Sequence, residues 1–600
     1  MTIAGESLAT IYIKDNDRLA PVPNQSIELE YVRSFDPSGT NSSTCEIVVY
    51  DAPSKKLFTT SAVAGFLDVI DFSDPTAPVV KKSIDMKPYG GVTSVAVRNG
   101  LVAVASPNTL EHLDGSVVFF DVNGNLIKQV TVGALPDNIS FTPDGTKVLT
   151  ANEGQPKTDY TIDPEGSVSI IDISGGAANL TQNNVITLYF TEFNAQESAL
   201  LASGVRKLKS SSTLSEDLEP EYITTAADSQ KAWVTLQENN AIAEINLVDK
   251  TITSLWALGT KDHSKPGNGF DISDNNGEIL IANWPIKSYY QPDGAATYNV
   301  NGVNYIVTAN EGDEKDYTNF VERTNVGADT YNLDTTAYPQ AAMLKKSHNA
   351  GRFRVTAFDG KTQDGTAYNQ MFALGSRSFS IFNADTKELV YDSGDDFEMY
   401  TATAPSINPI FNSDHESNTF KNRSRAKGPE AEGVTVAEIM GKTFAFVGLE
   451  RIGGVMVYDV TNPADVKFVD YKNNRSVSAY DGDHGPEGII HIKAAESPTG
   501  KDYIIVANEI SGTLTIFEVN TANLGTPGFD AEPKTFVVFP NPSVNGVAYF
   551  NRAADIEVYD YSGKLIHSAK QALTIDTSRM AAGIYLVKTS EGIVKQLLVK

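Results

Sequence analysis

Two stretches of the chain end an apolar run in the same five residues, VLTANEG at Val148 to Gly154 and IVTANEG at Ile306 to Gly312, and the loop after each closes on Asp-Tyr. The residue with chemistry to offer is the glutamate. Aligning the equivalent runs along the chain places an acid at the same position five times: Asn152-Glu153, Gln237-Glu238, Asn310-Glu311, Leu449-Glu450 and Asn508-Glu509. A second acidic series stands just before the strands that precede these runs, at Pro136-Asp137, Pro220-Glu221, Pro292-Asp293, Pro429-Glu430 with Glu432, and Pro486-Glu487. A strand and its turn require apolar residues and turn formers, not a recurrent ionisable group. Carboxylates gathered in this number repel one another, by about 3 kcal/mol for two unit charges roughly 6 Å apart in a partly buried setting. Hard oxygen ligands of this kind suit calcium or magnesium. The alternative is that each glutamate accepts a hydrogen bond from a backbone amide of the neighbouring unit and acts as structural glue.

The elements that position these acids are short alternating strands. FLDVIDFSDP, SVVFFDVNGN, SVSIIDISGG, AIAEINLVDK, GVMVYDVTNP and TLTIFEVNTA each follow another strand, and often a third, with Asp-Gly, Asp-Ser and Thr-Gly turns between them. Helical periodicity is weak and confined to short stretches near Ala195 and Tyr338. Repeated antiparallel units of three or four strands predict a β-propeller. The units begin near Glu46, Val92, Pro136, Glu219, Gly294, Arg352, Glu430 and Glu487. Eight blades are favoured; the fifth and sixth units are irregular and carry long insertions, which leaves seven open. The strand Ser26 to Phe35 is expected to complete the last blade and remove two exposed edges. In a propeller, the loop entering the first strand and the loop leaving the second open on one face, so both acidic series should crowd one rim of the central channel.

The formal charge of −27 makes nucleic acid and anionic membrane surfaces poor partners. The single cysteine, Cys45, excludes an internal disulfide and a cysteine-based zinc site. No apolar run reaches the roughly 18 residues of a transmembrane helix. The chain has no Gly-x-Ser-x-Gly elbow and no His-Glu-x-x-His motif. After Val519 the composition shifts to the Gly, Pro and Asn-rich NTANLGTPGFDAEPK, a linker, and a small all-β module follows.

Three resemblances add to this reading. The final residues, with Pro540-Asn541-Pro542, IEVYDYSGKLI, IDTSRMAAGIYLV and the terminus VKQLLVK, closely resemble the type A sorting domain of the type IX secretion system of Bacteroidetes. That resemblance implies a β-sandwich over 535–600, handling by the outer-membrane translocon and its shuttle, and attachment to surface lipopolysaccharide or release. The region 20–520 resembles the choice-of-anchor I family, itself similar to mesenchyme-specific cell-surface glycoproteins of biomineralisation. The carrying residues include GALPDNISFTPDGTKVLTANEG, DLEPEYITT, GSRSFSIFN, KGPEAEGV and FVGLERIGGVMVYDV. It implies a secreted or cell-surface protein of adhesion, mineral or alkaline phosphatase type. The segment GESLATIYIKDND within 1–19 is similar to the last strand of a Calx-β domain, which leads us to expect a longer protein with its export signal upstream; 521–534 is the linker.

The sequence therefore predicts an all-β, extracellular protein whose metal ligands are Glu153, Glu238, Glu311, Glu432, Glu450, Glu487 and Glu509, with calcium the expected ion and another divalent metal the alternative. No organic cofactor is expected. The competing prediction is a metal-dependent phosphoesterase in which Arg377, Arg451 and Lys427 hold the anionic ester and His484 assists. Arg206, Lys261 and His263 fall in equivalent loops.

Overall fold

Strands begin where β-branched and aromatic residues alternate with small or polar ones, and end at Asp, Asn or Gly turns, as in KLFTTS and FLDVID at Lys56–Ser61 and Phe66–Asp71. In the computed structural model, which describes residues 18–39, 45–524, 536–544, 546–590 and 593–600, such strands assemble into seven four-stranded antiparallel sheets. The expected Calx-β tail and most of the linker lie outside the described residues. The chain divides into two compact units, Met1–Gly525 and Thr526–Lys600.

The first strands of the seven sheets are Val48–Asp51, Val95–Arg98, Pro136–Phe141, Pro220–Thr225, Ala295–Val300, Ala431–Ile439 and Pro486–Ile492; the sheets are called blades 1 to 7 in that order. Each first strand touches the first strands of the blades before and after it, and blade 7 touches blade 1, so the seven close a ring. Glu28–Phe35 pairs antiparallel with Thr513–Asn520 and supplies the outer strand of blade 7, as the edge argument requires. The core lies between blades. Phe444, Phe446, Val455 and Val457 of blade 6, for example, pack on Leu29, Ile489, Ile504 and Phe517 of blade 7.

Seven is the lower of the two counts open from the sequence. The unit expected to start at Arg352 is no blade. Its strands Ser378–Asn383 and Leu389–Asp392 pair behind Val303–Asn310 and finish blade 5. The residues between are an insertion. With the segment that precedes blade 5, it forms a small core of its own around Phe270, Trp284, Tyr331, Phe353 and Met371. That apolar content is what gives the insertion the appearance of a blade in sequence.

The C-terminal unit has five strands in one hydrogen-bonded network. The long strand Val547–Asp560 pairs with Val538–Val544 along its first half and Gly583–Thr589 along its second, with Leu565–Asp576 on its other edge. Phe536, Phe550, Ile556, Val558, Val587 and Leu597 meet in its core. The expected two-layer sandwich is thus built from a single network whose long strand serves both parts.

Candidate metal centre at the channel mouth

The acids of the second series sit where the first strands leave their ladders. In blades 3, 4, 6 and 7 the register to the second strand shifts between Pro136 and Asn138, Pro220 and Ile223, Ala431 and Val434, and Pro486 and Ile489. Asp137, Glu221, Glu432 and Glu487 each occupy the resulting bulge, a device that frees a residue from pairing and re-aims its side chain. With Asp293 at the entrance of blade 5 and Glu46 at that of blade 1, they line one cavity of about 410 Å³. In blade 2 the corresponding lining residue is Thr93. The sequence pattern of proline followed by acid finds four of these positions, reaches Glu432 two residues beyond Glu430, and misses Glu46, which follows Cys45. The available signal was the acid two residues ahead of the Val48 strand.

Glycine sets how closely the blades approach here. Gly294, Gly433 and Gly488 follow three of the acids, and a Cβ on any of them would run into the main-chain oxygen of the next blade's acid, Glu432, Glu487 and Glu46 in turn. The amides of Gly294 and Gly488 donate to the Glu432 and Glu46 carbonyls at 3.2 and 2.9 Å. Elsewhere Thr93 Oγ1 donates to Pro136 O at 2.5 Å and Thr235 Oγ1 to Asp293 O at 3.1 Å. Main-chain and hydroxyl groups join the blades at these points.

The repeated Thr-Ala-Asn-Glu-Gly divides its labour. Thr150 Oγ1 donates to Asn152 Oδ1 at 2.8 Å and Asn152 Nδ2 reaches Ser169 Oγ at 3.0 Å; Thr308, Asn310 and Ser380 repeat this at 2.8 and 2.8 Å. Thr and Asn therefore pin the second strand to the third. The two Asp-Tyr ends meet, Tyr160 stacking on Tyr317 with centroids 4.8 Å apart. The glutamates go to different places. Glu311 lines the cavity with Glu432 and Glu487, whereas Glu153, Glu238 and Glu450 are buried and are not among the lining residues. Glu509 acts electrostatically on Glu46 and Glu487. Of the seven predicted ligands, Glu311 and Glu432 come together, joined by Asp293: each offers a carboxylate oxygen, and these lie within 4.8 Å of one another. Glu311, Glu430 and Glu450 form a second such group.

The two groups differ in charge balance. Glu430 is fully buried, but Arg423, Lys427 and Arg451 surround it, with Lys427 Nζ at 3.2 Å and Arg451 Nε at 3.0 Å; burial would raise its carboxyl and the three cations hold it well below the usual range. Glu450 Oε1 has Arg451 Nη1 at 2.9 Å and His415 Nδ1 at 2.8 Å, while its buried Oε2 has no hydrogen-bond partner. In the first group Glu311 alone has basic company: Lys427 Nζ donates to its Oε1 at 2.9 Å and Gln237 Nε2 to its Oε2 at 2.9 Å. Glu432 Oε2 is buried without a partner. Burial first, and then Glu450, Glu487, Glu311 and Asp293, push Glu432 well above the carboxylate range. Burial, Glu311 and Asp137 do the same to Asp293. Across the ring, burial and then Glu509 and Asp137 raise Glu46 to about 8, and burial raises Asp137 to about 6. Behind the ring, Glu153, Glu219 and Glu238 share the buried Lys315, whose Nζ is 3.0 Å from Glu219 Oε1.

Lys427 and Arg451 stand at the mouth, but the other basic residues expected there are engaged elsewhere. Arg377 bonds Glu398, donates to the carbonyls of Asp271, Ser424 and Ala426, and lies over the Phe270 ring; it ties the segment before blade 5 to the one between blades 5 and 6. Lys261 pairs with Asp392 at 2.9 Å and Arg206 with Glu322 and Asp359. His263 is buried between Asn268 O and Ser288 Oγ, and burial with Lys261 lowers it to about 3. His484 is buried beside Tyr480 and is lowered to about 4 by burial and Arg475. None of these side chains lines the cavity.

The choice-of-anchor I domain matches residues 46–463, ending before blade 7, and the secretion system C-terminal sorting domain matches residues 537–600. Gigasin-3a of Magallana gigas is 30% identical over 211 residues, which is 32% of this chain and 69% of that protein. The mesenchyme-specific cell surface glycoprotein of Strongylocentrotus purpuratus is 27% identical over 280 residues, 41% of this chain and 35% of its own length. Among solved structures, the Pan2 WD40 domain of Neurospora crassa superposes with a TM-score of 0.41 at 10% identity, covering 85% of this chain and 98% of that one. The Kuenenia stuttgartiensis hydrazine synthase gives 0.39 at 11%, covering 80% and 98%.

Proposed function

This chain belongs to the choice-of-anchor I domain family, and we propose that its propeller binds a divalent cation, calcium first, through Asp293, Glu311 and Glu432. Its C-terminal sorting domain marks it for export by a secretion system, so it is a secreted or cell-surface propeller protein. No described helix is long and apolar enough to cross a membrane. Attachment at the outer membrane, and a matrix or adhesion ligand outside the cell, are part of the proposal.

The observation that carries the cation is the placement of three carboxylates with oxygens within 4.8 Å of one another and one basic neighbour among them. An all-oxygen set without His or Cys suits a hard ion. Calcium accepts irregular sets of six to eight oxygens, which three carboxylates and solvent can supply. A phosphoesterase draws less support. Arg377, Arg451 and Lys427 already hold carboxylates or carbonyls, and a wall of carboxylates repels an anionic ester. The test is metal content of the purified full chain, with Asp293→Asn/Glu432→Gln as control. Calcium retained by wild type and lost from the double variant supports the reading; equal content in both rejects it.

A further inference from the structure

We propose that Lys427 is the mouth's built-in counter-cation and sets how tightly a divalent ion is held there; this rests on the reading of Asp293, Glu311 and Glu432 as ion ligands. Lys427 is 7% exposed, yet its ammonium is placed among acceptors: 2.9 Å from Glu311 Oε1, 3.2 Å from Glu430 Oε2, 3.6 Å from Asp313 Oδ1, and bonded to Gly312 O. Glu430 does not depend on it, since Arg423 and Arg451 also hold that carboxylate. Glu311 has its direct ion pair with Lys427, while Arg451 acts on it only at longer range. Glu311 is also the member common to both carboxylate groups. Beside it Glu450, 4% exposed, keeps a carboxylate oxygen with no hydrogen-bond partner. The cations present therefore leave a buried carboxylate oxygen unfilled.

An ion entering between Asp293, Glu311 and Glu432 must share Glu311 with an ammonium that cannot leave. Two cations on one carboxylate repel, and the repulsion weakens the mobile one. Without the ion, Lys427 still holds Glu311 in place through its contact with Oε1. Lys427 thus works as an affinity setting, lowering occupancy at low calcium while preserving the site's shape.

Calcium titration calorimetry on the full chain tests this, with melting in chelator as the check on folding. Lys427→Met should bind calcium at least tenfold more tightly than wild type, and Lys427→Arg should stay within about threefold of it. Should the Met variant not fold, Lys427→Gln, which keeps a donor for Glu311 and Gly312, carries the same expectation. Binding by wild type with no tightening in the neutral variants overturns the proposal and leaves the ion site standing. Tightening by Lys427→Arg also overturns it, because charge would not be the determinant. No binding by any form defeats the ion site and this inference together. Binding by the neutral variants alone supports the inference and shows that Lys427 itself fills the site.

Discussion

The two sides of the channel mouth place acids at the same register and balance them differently. On the blade 5 and 6 side, Glu311 and Glu430 meet Lys427, and Arg423, Arg451 and His415 stand behind. On the blade 7 and 1 side, Glu487 and Glu46 face each other and Glu509 with no basic side chain among the causes that shift them. The first side sets cations against Glu311 and Glu430, while Glu432 and Asp293, which have none beside them, are pushed up by burial and by their acidic neighbours. The second relieves its charge by taking up protons, since burial and mutual repulsion favour the neutral acid. The difference teaches that an acidic ring is not one site: ion-binding capacity depends on which carboxylates stay charged, and that is decided by neighbours outside the ring.

The comparison breaks most visibly if a cation is removed from the first side. Arg451→Met strands Glu430 and Glu450 with fewer partners, and losing one member of a buried pair costs about 3 kcal/mol or more. Denaturant unfolding should show that loss, whereas Glu46→Gln on the other side should be neutral or stabilising. Equal losses at both would erase the distinction between them.

Calcium should come next in size. A ligand that binds only the folded state stabilises it by about 2.7 kcal/mol at a hundredfold excess over Kd. Melting at pH 8 should rise in calcium and fall in chelator, and Asp293→Asn/Glu432→Gln should remove the difference. An unchanged calcium response in that variant would place the ion elsewhere.

The pH dependence sharpens the contrast further. Glu46, raised to about 8 by burial, Glu509 and Asp137, binds a proton in the folded chain at pH values where the unfolded carboxyl, near 4.5, has lost it. The folded state then holds more protons, so stability falls as pH rises from about 4.5 to about 8. Melting without metal should decline across that window, and Glu46→Gln/Glu487→Gln should flatten the decline while changing calcium affinity by less than about threefold. A flat wild-type profile would mean the second side is not proton-balanced.

Much of this was legible in the residues. Alternating strands with Asp and Gly turns give the propeller, and the unpaired Ser26 to Phe35 strand gives its closure, because periodicity and edges are local properties. The proline-acid pattern gives most of the ring. The blade count was not legible, since Phe372–Ala373 and Ser378–Asn383 follow an insertion with its own apolar core and look like the start of a new unit. Nor was the fate of the basic residues. Arg377 meets Glu398 and Phe270, and Arg206 meets Glu322, through insertions distant in sequence. A loop position shows that an arginine is near the rim; only the folded chain shows that a carboxylate already occupies it.

The most direct test of the central claim is anomalous diffraction from crystals of the full chain grown with manganese in place of calcium. The account predicts a peak within coordination distance of Asp293, Glu311 and Glu432, with none between Glu46 and Glu487. A channel with no peak, or a peak held by Glu46 and Glu487, would contradict it.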